Sequence, residues 1–173
     1  QFKEQYSRLA QALRMMVKEE EISLVPKDIR GNFSKYLSKY YNISHDCGNI
    51  NIGTKGCITL NAEGYVDHYK KNYTGDKIEF SYLDDGTIVL NDGTTLFFEQ
   101  GNQAISKGSY LIGVDINGYL NKPNRLGHDL FIFEVGENGE LIAPNPQTGK
   151  WHFYQCSKTS NSVVNGYGCA AKA

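Results

Sequence analysis

The feature that most constrains this chain is its opening run, FKEQYSRLAQALRMMVK. Phe2, Tyr6, Leu9, Leu13, Met16 and Val17 return at steps of three and four, so a helix gathers them on one face. Lys3, Glu4, Gln11, Arg14 and Lys18 fall around the rest of the wheel. Ala10 and Ala12 are strong helix formers, and no Gly or Pro intervenes before Pro26. The run lacks the Ser, Thr, Asp or Asn cap that usually opens a helix. It reads as the back half of a longer helix, and its apolar stripe must be laid against a second element.

That second element is a sheet. From Lys77 the period changes to short runs of β-branched and aromatic residues: KIEFSYL, TIVLND, TTLFFEQ and SYLIGVDI, then DLFIFEV and ELIA. Asp85-Gly86 and Asp92-Gly93 carry the composition of type I′ hairpin turns, which need positive φ at both central positions. Glu137-Asn138-Gly139 predicts one more hairpin. Between helix and sheet, Phe33, Tyr36, Leu37, Tyr40 and Tyr41 have helical spacing, with Gly31 or Asn32 as cap. The expected fold is α+β: a long N-terminal helix packed on an antiparallel sheet of about four or more strands. One domain is expected over 1–173, with the spine helix at 1–22, the second helix and a stapled loop at 27–76, and the sheet with a C-terminal loop at 77–173. Residues 64–73 read either as strand or as an irregular crossing.

Charge and cysteines narrow the function classes. A formal net charge of -1 gives no global attraction to nucleic acid, and no apolar run reaches the roughly 18 residues that span a bilayer. Cys47, Cys57, Cys156 and Cys169 allow three pairings. Closeness along the chain favours Cys47 with Cys57 and Cys156 with Cys169, each closing a loop rich in Gly, Asn and Ser, without settling the connectivity. Neither pair has CxxC spacing, so structural disulfides and an oxidising compartment are expected rather than zinc or redox chemistry.

Catalytic signatures are missing: no GxSxG, no HExxH, no phosphate-binding Gly-rich loop. His45 beside Asp46 and Cys47 suggests a nucleophile and base, but a disulfide-bonded cysteine attacks nothing. His68, His128 and His152 stand alone. Asp84-Asp85 sits in a turn, where Asp serves backbone geometry. No enzyme and no cofactor are expected. Asn32, Asn42 and Asn72 begin N-glycosylation patterns that arise readily in an Asn-rich chain. Tyr65, Tyr69 and Tyr73, interleaved with Lys70 and Lys71, read as a half-buried face before they read as a ligand surface. In residues 114–129, Asp115, Asn117 and Asp129 present oxygens suited to Ca²⁺, though not at EF-hand spacing. The competing reading, which the pattern favours, is a structured turn with carboxylates bonded to backbone amides.

Three segments together resemble bacterial type IV pilin-like and type II secretion pseudopilin (prepilin-type) proteins. The stretch EQYSRLAQALRMM, with Leu9-Ala10-Gln11-Ala12-Leu13, is similar to the part of their N-terminal helix that follows the membrane-spanning half. Asp115, Asn117, Gly118, Pro123, Asn124, Gly127, Asp129 and Phe131 match a D-[IV]-N-G…P-N…G-x-D-[LVI]-F stretch. The tail, with Trp151, Cys156, Asn165-Gly166-Tyr167-Gly168 and Cys169, resembles their C-terminal end. The likeness covers the first helix and the last third. It implies a pilin-like soluble head lacking the membrane half of its helix, and a disulfide-closed C-terminal loop. It further implies a non-catalytic filament subunit that assembles through its N-terminal helix with copies of itself and other pilins. The precursor would be anchored in the inner membrane, processed by a prepilin peptidase, and displayed in the periplasm or at the cell surface. The cleavage-site residues are not in the sequence. The rival expectation is a minor tip pilin or secreted adhesin binding sugar, peptide or DNA.

Overall fold

A computed structural model of the chain describes residues 1–48, 57, 71–151 and 154–173. The opening periodicity becomes helix α1, Phe2–Glu20, closed by Glu21 in the left-handed region at φ 52. Its stripe buries Leu9, Ala10, Ala12, Leu13 and Met16. Two short helices follow, α2 (Pro26–Ile29), with proline at its first turn, and α3 (Phe33–Ser38). The second helix ends earlier than its aromatic spacing suggests, leaving Tyr40 and Tyr41 in the turn that follows.

Six strands form one sheet in sequence order, every neighbour antiparallel: β1 Ile43–Gly48, β2 Gly86–Leu90, β3 Thr95–Glu99, β4 Tyr110–Asp115, β5 Leu130–Val135 and β6 Leu141–Ile142. A helix, α4 (Asn102–Lys107), bridges β3 and β4. The α+β class with an N-terminal helix and an antiparallel sheet is therefore as expected from the pattern. Cross-strand partners share a face, so the register sorts the side chains into two layers. Ile88, Leu96, Phe98, Tyr110, Ile112, Val114, Phe131 and Phe133 point one way. On that side Phe2 meets the Phe131 ring at 4.6 Å, Tyr6 meets Phe133 at 5.6 Å, and Phe33 stacks on Tyr110 at 4.4 Å. Phe97, Gly113, Ile132, Glu99, Leu111 and Glu134 point the other way, where Phe80 packs edge-on against Phe97 at 5.3 Å. Helices cover one face and irregular chain from 71–83 and the C-terminal third covers the other. Burial on both faces explains why β2 to β5 carry nearly continuous apolar runs instead of strict alternation.

Three sequence expectations are corrected. The run 77–83 is no strand; Ser81–Leu83 is a 3-10 turn. Its Ile78, Phe80 and Leu83 bury against the sheet without joining it. Asp85-Gly86 makes no hairpin, because Gly86 already begins β2. Asp92-Gly93 does turn the β2–β3 hairpin, but by another geometry. Gly93 N donates to Leu90 O and Leu90 N to Thr94 O, with positive φ at Gly93 and at neither Asn91 nor Asp92. That is a type I turn closed by a glycine bulge. The β5–β6 turn repeats it, with Gly139 at φ 83 donating to Gly136 O.

Candidate functional site

α1 comes first, because the expected assembly residues lie on it. Leu9, Leu13 and Met16 are 0–1% exposed, and Phe2 and Val17 are half-buried against the core. Tyr6 sits at the margin and donates its hydroxyl to Leu141 O. These six side chains therefore face the sheet of their own molecule. What α1 offers a neighbour is the opposite side: Lys3, Ser7, Gln11, Arg14, Met15 and Lys18, exposed along its length. Beside that side runs a groove of about 420 Å³ between α1 and the turn after α3, lined by Arg8, Gln11, Met15, Lys39, Tyr41 and Asn42. Its cations are already engaged, Arg8 with Asp92 and Lys39 with Glu20 at 2.9 Å. Burial opposes ionisation of Asp92, but bonds from Arg8 and Thr94 outweigh it and bring the carboxyl down to about 2. Burial raises the Tyr41 hydroxyl well above the ordinary tyrosine range.

The cysteines pair locally, Cys47 with Cys57 and Cys156 with Cys169. Cys47 thus carries no thiol for His45, whose ring meets Ser44 Oγ at 2.9 Å. Tyr73 packs on His128 with ring centroids 5.0 Å apart, and Arg125 donates to its carbonyl. His68, His152, Tyr65 and Tyr69 lie outside the described residues. Asn72 is fully buried, its Oδ1 accepting the amides of Thr74, Gly75 and Asp76, so this acceptor pattern is not open to a glycosylating enzyme.

The connection from β4 to β5 holds the calcium candidates. Asp115 Oδ1 accepts the amides of Asn117 (3.1 Å) and Gly118 (3.0 Å). Asp129 accepts those of Asn124 (2.7 Å) and Arg125 (2.6 Å). These are the bonds the structured-turn reading calls for.

One constellation was hidden in the sequence. Asp84, Asp85 and Glu99 each bring a carboxylate oxygen within 4.8 Å of the others. Asp85 Oδ2 accepts the amides of Gln100 (3.0 Å) and Gly101 (2.8 Å), and the Gln100 side chain ties Asp85 O to Ser34 on α3. Burial pushes the Glu99 carboxyl up to about 8, with help from its hydrogen bond to Asp85 and that residue's charge. Burial also lifts Asp84 to about 6. Glu99 thus keeps a proton at neutral pH and works as a clasp at the corner joining α3, β2, β3 and α4. A second cleft, of about 360 Å³, lies beyond α4 between Tyr82, Trp151, Asn102, Gln103, Ser106 and Lys107.

No family model, curated protein or solved structure matches this chain. No helix among the described residues is long and apolar enough to cross a membrane.

Proposed function

We propose that the chain is a non-catalytic structural subunit of a surface filament of the pilin or pseudopilin kind, assembling through the outer side of α1. One observation carries the reading. A 19-residue helix commits a single stripe to its own sheet and leaves the remaining side uncovered from Lys3 to Lys18. A lone surface helix needs only that stripe, but a filament spine needs both sides. The two cystines suit an oxidising location outside the cytoplasm. The reading requires an apolar helical segment encoded ahead of Gln1, and the upstream codons test that directly.

The assembly test uses the complete gene product in its native host. Cysteine placed at Ser7, Gln11 or Arg14 should give disulfide-linked ladders on sheared filaments. The same change at Lys107, at the end of α4 beside the Tyr82 and Trp151 cleft, should not. Equal cross-linking from both positions, or none from either, would remove α1 as the assembly surface. A second reading, a tip-located binding module for sugar or peptide, is favoured by the cleft at Tyr82 and Trp151, where aromatic rings meet the amides of Asn102 and Gln103. Labelling at filament ends only, rather than along their length, would select it.

A further inference from the structure

Leu120 is 75% exposed, far beyond the next large apolar side chain among the described residues, Met15 at 42%. One bare leucine means little by itself. This one stands on a turn that holds it out. Asn121 N donates to Gly118 O at 2.9 Å, and Asn121 Nδ2 to Asn117 O at 2.6 Å. Asp115 Oδ1 fixes the amides of Asn117 and Gly118, and Asn124 Nδ2 donates to Tyr119 O at 2.7 Å. Gly118 lies so close to Gly93 O that a Cβ there would overlap it, which seats the turn on the β2–β3 hairpin. Tyr119, half-buried, packs against the core behind the tip. The chain on both sides of Leu120 is therefore fixed, and the leucine cannot fold back onto the protein without breaking those bonds. An apolar tip already held in place has little conformational freedom left to lose when it meets a partner.

Its place in the fold says which partner. Gln1 Nε2 donates to Ile116 O at 3.0 Å, which ties the β4–β5 connection to the start of α1. Phe2, Ile116 and Tyr119 are half-buried around that same end. A helix continued back from Gln1 leaves the molecule there, beside Leu120. Lys3 and Lys122 are exposed at this end, and so is Lys71, whose carbonyl accepts Leu126 N. Glu4 and Asp76 stand against them, while Arg8 and Asp92 neutralise each other. This is the composition of a bilayer interface. A leucine can enter the acyl boundary, a tyrosine suits headgroup depth, and lysines lay their stems along apolar matter with their ammonium groups in water.

We infer that the Leu120 turn is a bilayer-contact surface, on which the head rests against the lipid from which α1 rises. The inference rests on the filament reading, since the apolar segment of that reading is the tether. One leucine and a few lysines hold no free protein on a membrane. A tether changes the requirement, because contact becomes intramolecular at an effective concentration of about millimolar. Leu120 then decides orientation rather than attachment. It sets the tilt of the head, and with it the direction in which the outer side of α1 meets a neighbour.

The test supplies its own tether. The 173-residue chain carries a histidine tag ahead of Gln1 and is held on nickel-chelating lipid in vesicles of phosphatidylcholine and phosphatidylglycerol. Asn121→Cys, labelled with the polarity-sensitive fluorophore NBD, reports the tip with Leu120 still in place. Asn138→Cys, exposed in the β5–β6 turn at the opposite end of β5, reports water. On vesicles the label at 121 should shift to the blue and lose iodide quenching severalfold, and the label at 138 should do neither. Leu120→Asn changes an exposed side chain, so it should leave Tm almost unchanged and return the label at 121 to its solution behaviour. Lys122→Glu should weaken the shift more on anionic vesicles than on phosphatidylcholine alone. A label at 121 as open to iodide as the one at 138 overturns the inference, as does a shift that survives Leu120→Asn. A shift seen only on crowded vesicles, and lost when the chains are sparse, also overturns it, because a second copy is then what covers the tip. The tag stands in for any native anchor, so the vesicles decide the tip and the upstream codons decide the filament reading.

Discussion

Two buried glutamates on the same face of the sheet show how neighbours decide what a side chain does. Glu134 receives donors from Ser109 Oγ, Lys150 N and the Tyr154 hydroxyl. Glu99, two cross-strand steps away through Leu111, receives the Gly101 amide but faces Asp85 and Asp84. Its folded-state carboxyl titrates near 8, against 4.5 when free. A raised carboxyl stabilises the fold fully below its unfolded value and loses that contribution as pH rises through the folded one. Asp92 runs the other way, near 2 against 3.8, so its contribution is intact above 3.8 and fades as pH falls through 2. Stability should therefore peak between pH 4 and 5 and decline toward pH 8.5. If the Glu99 contribution is on the order of 2 kcal/mol after relaxation, Tm falls by about 4–8 °C over that span. Glu99→Gln keeps the shape without that titration and leaves only the Asp84 decline, which ends near pH 6, so its melting temperature should be level from about pH 6.5 to 8.5. A wild-type profile already level from pH 5 to 8.5 would refute the clasp. Nothing in the sequence brings Glu99 to Asp85. The β2–β3 hairpin does that, and a pattern read locally sees only a turn.

Elements were legible where one face of one element set the pattern. α1, the runs that became β2 to β5 and the two glycine turns follow from periodicity and turn residues. β1 was missed because Ile43–Gly48 is an edge strand whose middle is three consecutive polar residues, Ser44, His45 and Asp46, so it shows no apolar alternation. α4 was missed because only Ala104 of its six residues is buried, too little to show a stripe. The run 77–83 looked like a strand because apolar residues that bury against a sheet and those that pair within it are the same types. The two glycine turns, alike in geometry, differ in surroundings. A Cβ on Gly93 meets nothing within 4 Å, whereas one on Gly139 lies 2.9 Å from Leu13 O and 3.1 Å from Val17 Cγ2 on α1. Gly93→Ala should cost only the left-handed backbone penalty, about 1 kcal/mol. Gly139→Ala adds overpacking against the α1 backbone, which cannot rotate aside, for about 3 kcal/mol in all. Urea melts of the two variants rank them, and equal losses would mean that the β5–β6 turn does not bear on α1.

At the scale of the molecule, the two layers that sandwich the sheet are held by different means. The helical side is held by an aromatic and aliphatic interface: Phe2 and Tyr6 on the β5 phenylalanines, Leu9, Leu13 and Met16 beneath them. The other side is irregular chain, and it depends on point fixings. Asn72 and Asn165 are fully buried and bond to the carbonyls of Ser162 and Ser157, Tyr167 reaches Glu79 O, and Cys156–Cys169 closes the tail. Removing a crosslink over a loop of this size costs about 3 kcal/mol. That loss falls on the layer with fewest ladder bonds, so reduction should loosen it first. Trp151, the single tryptophan, lies in this layer at 1% exposure with its indole N–H on Ser109 Oγ, which makes it a local reporter. Far-ultraviolet dichroism reports α1 and the sheet. In the oxidised protein the two signals should be lost together in denaturant, as expected of one cooperative domain. After reduction, tryptophan emission should shift to the red at clearly lower denaturant than the dichroism falls, with α1 and the sheet still joined. Transitions that stay coincident after reduction would mean that the irregular layer is held by packing rather than by its cystine, and that the disulfide serves only the tail beyond Tyr167.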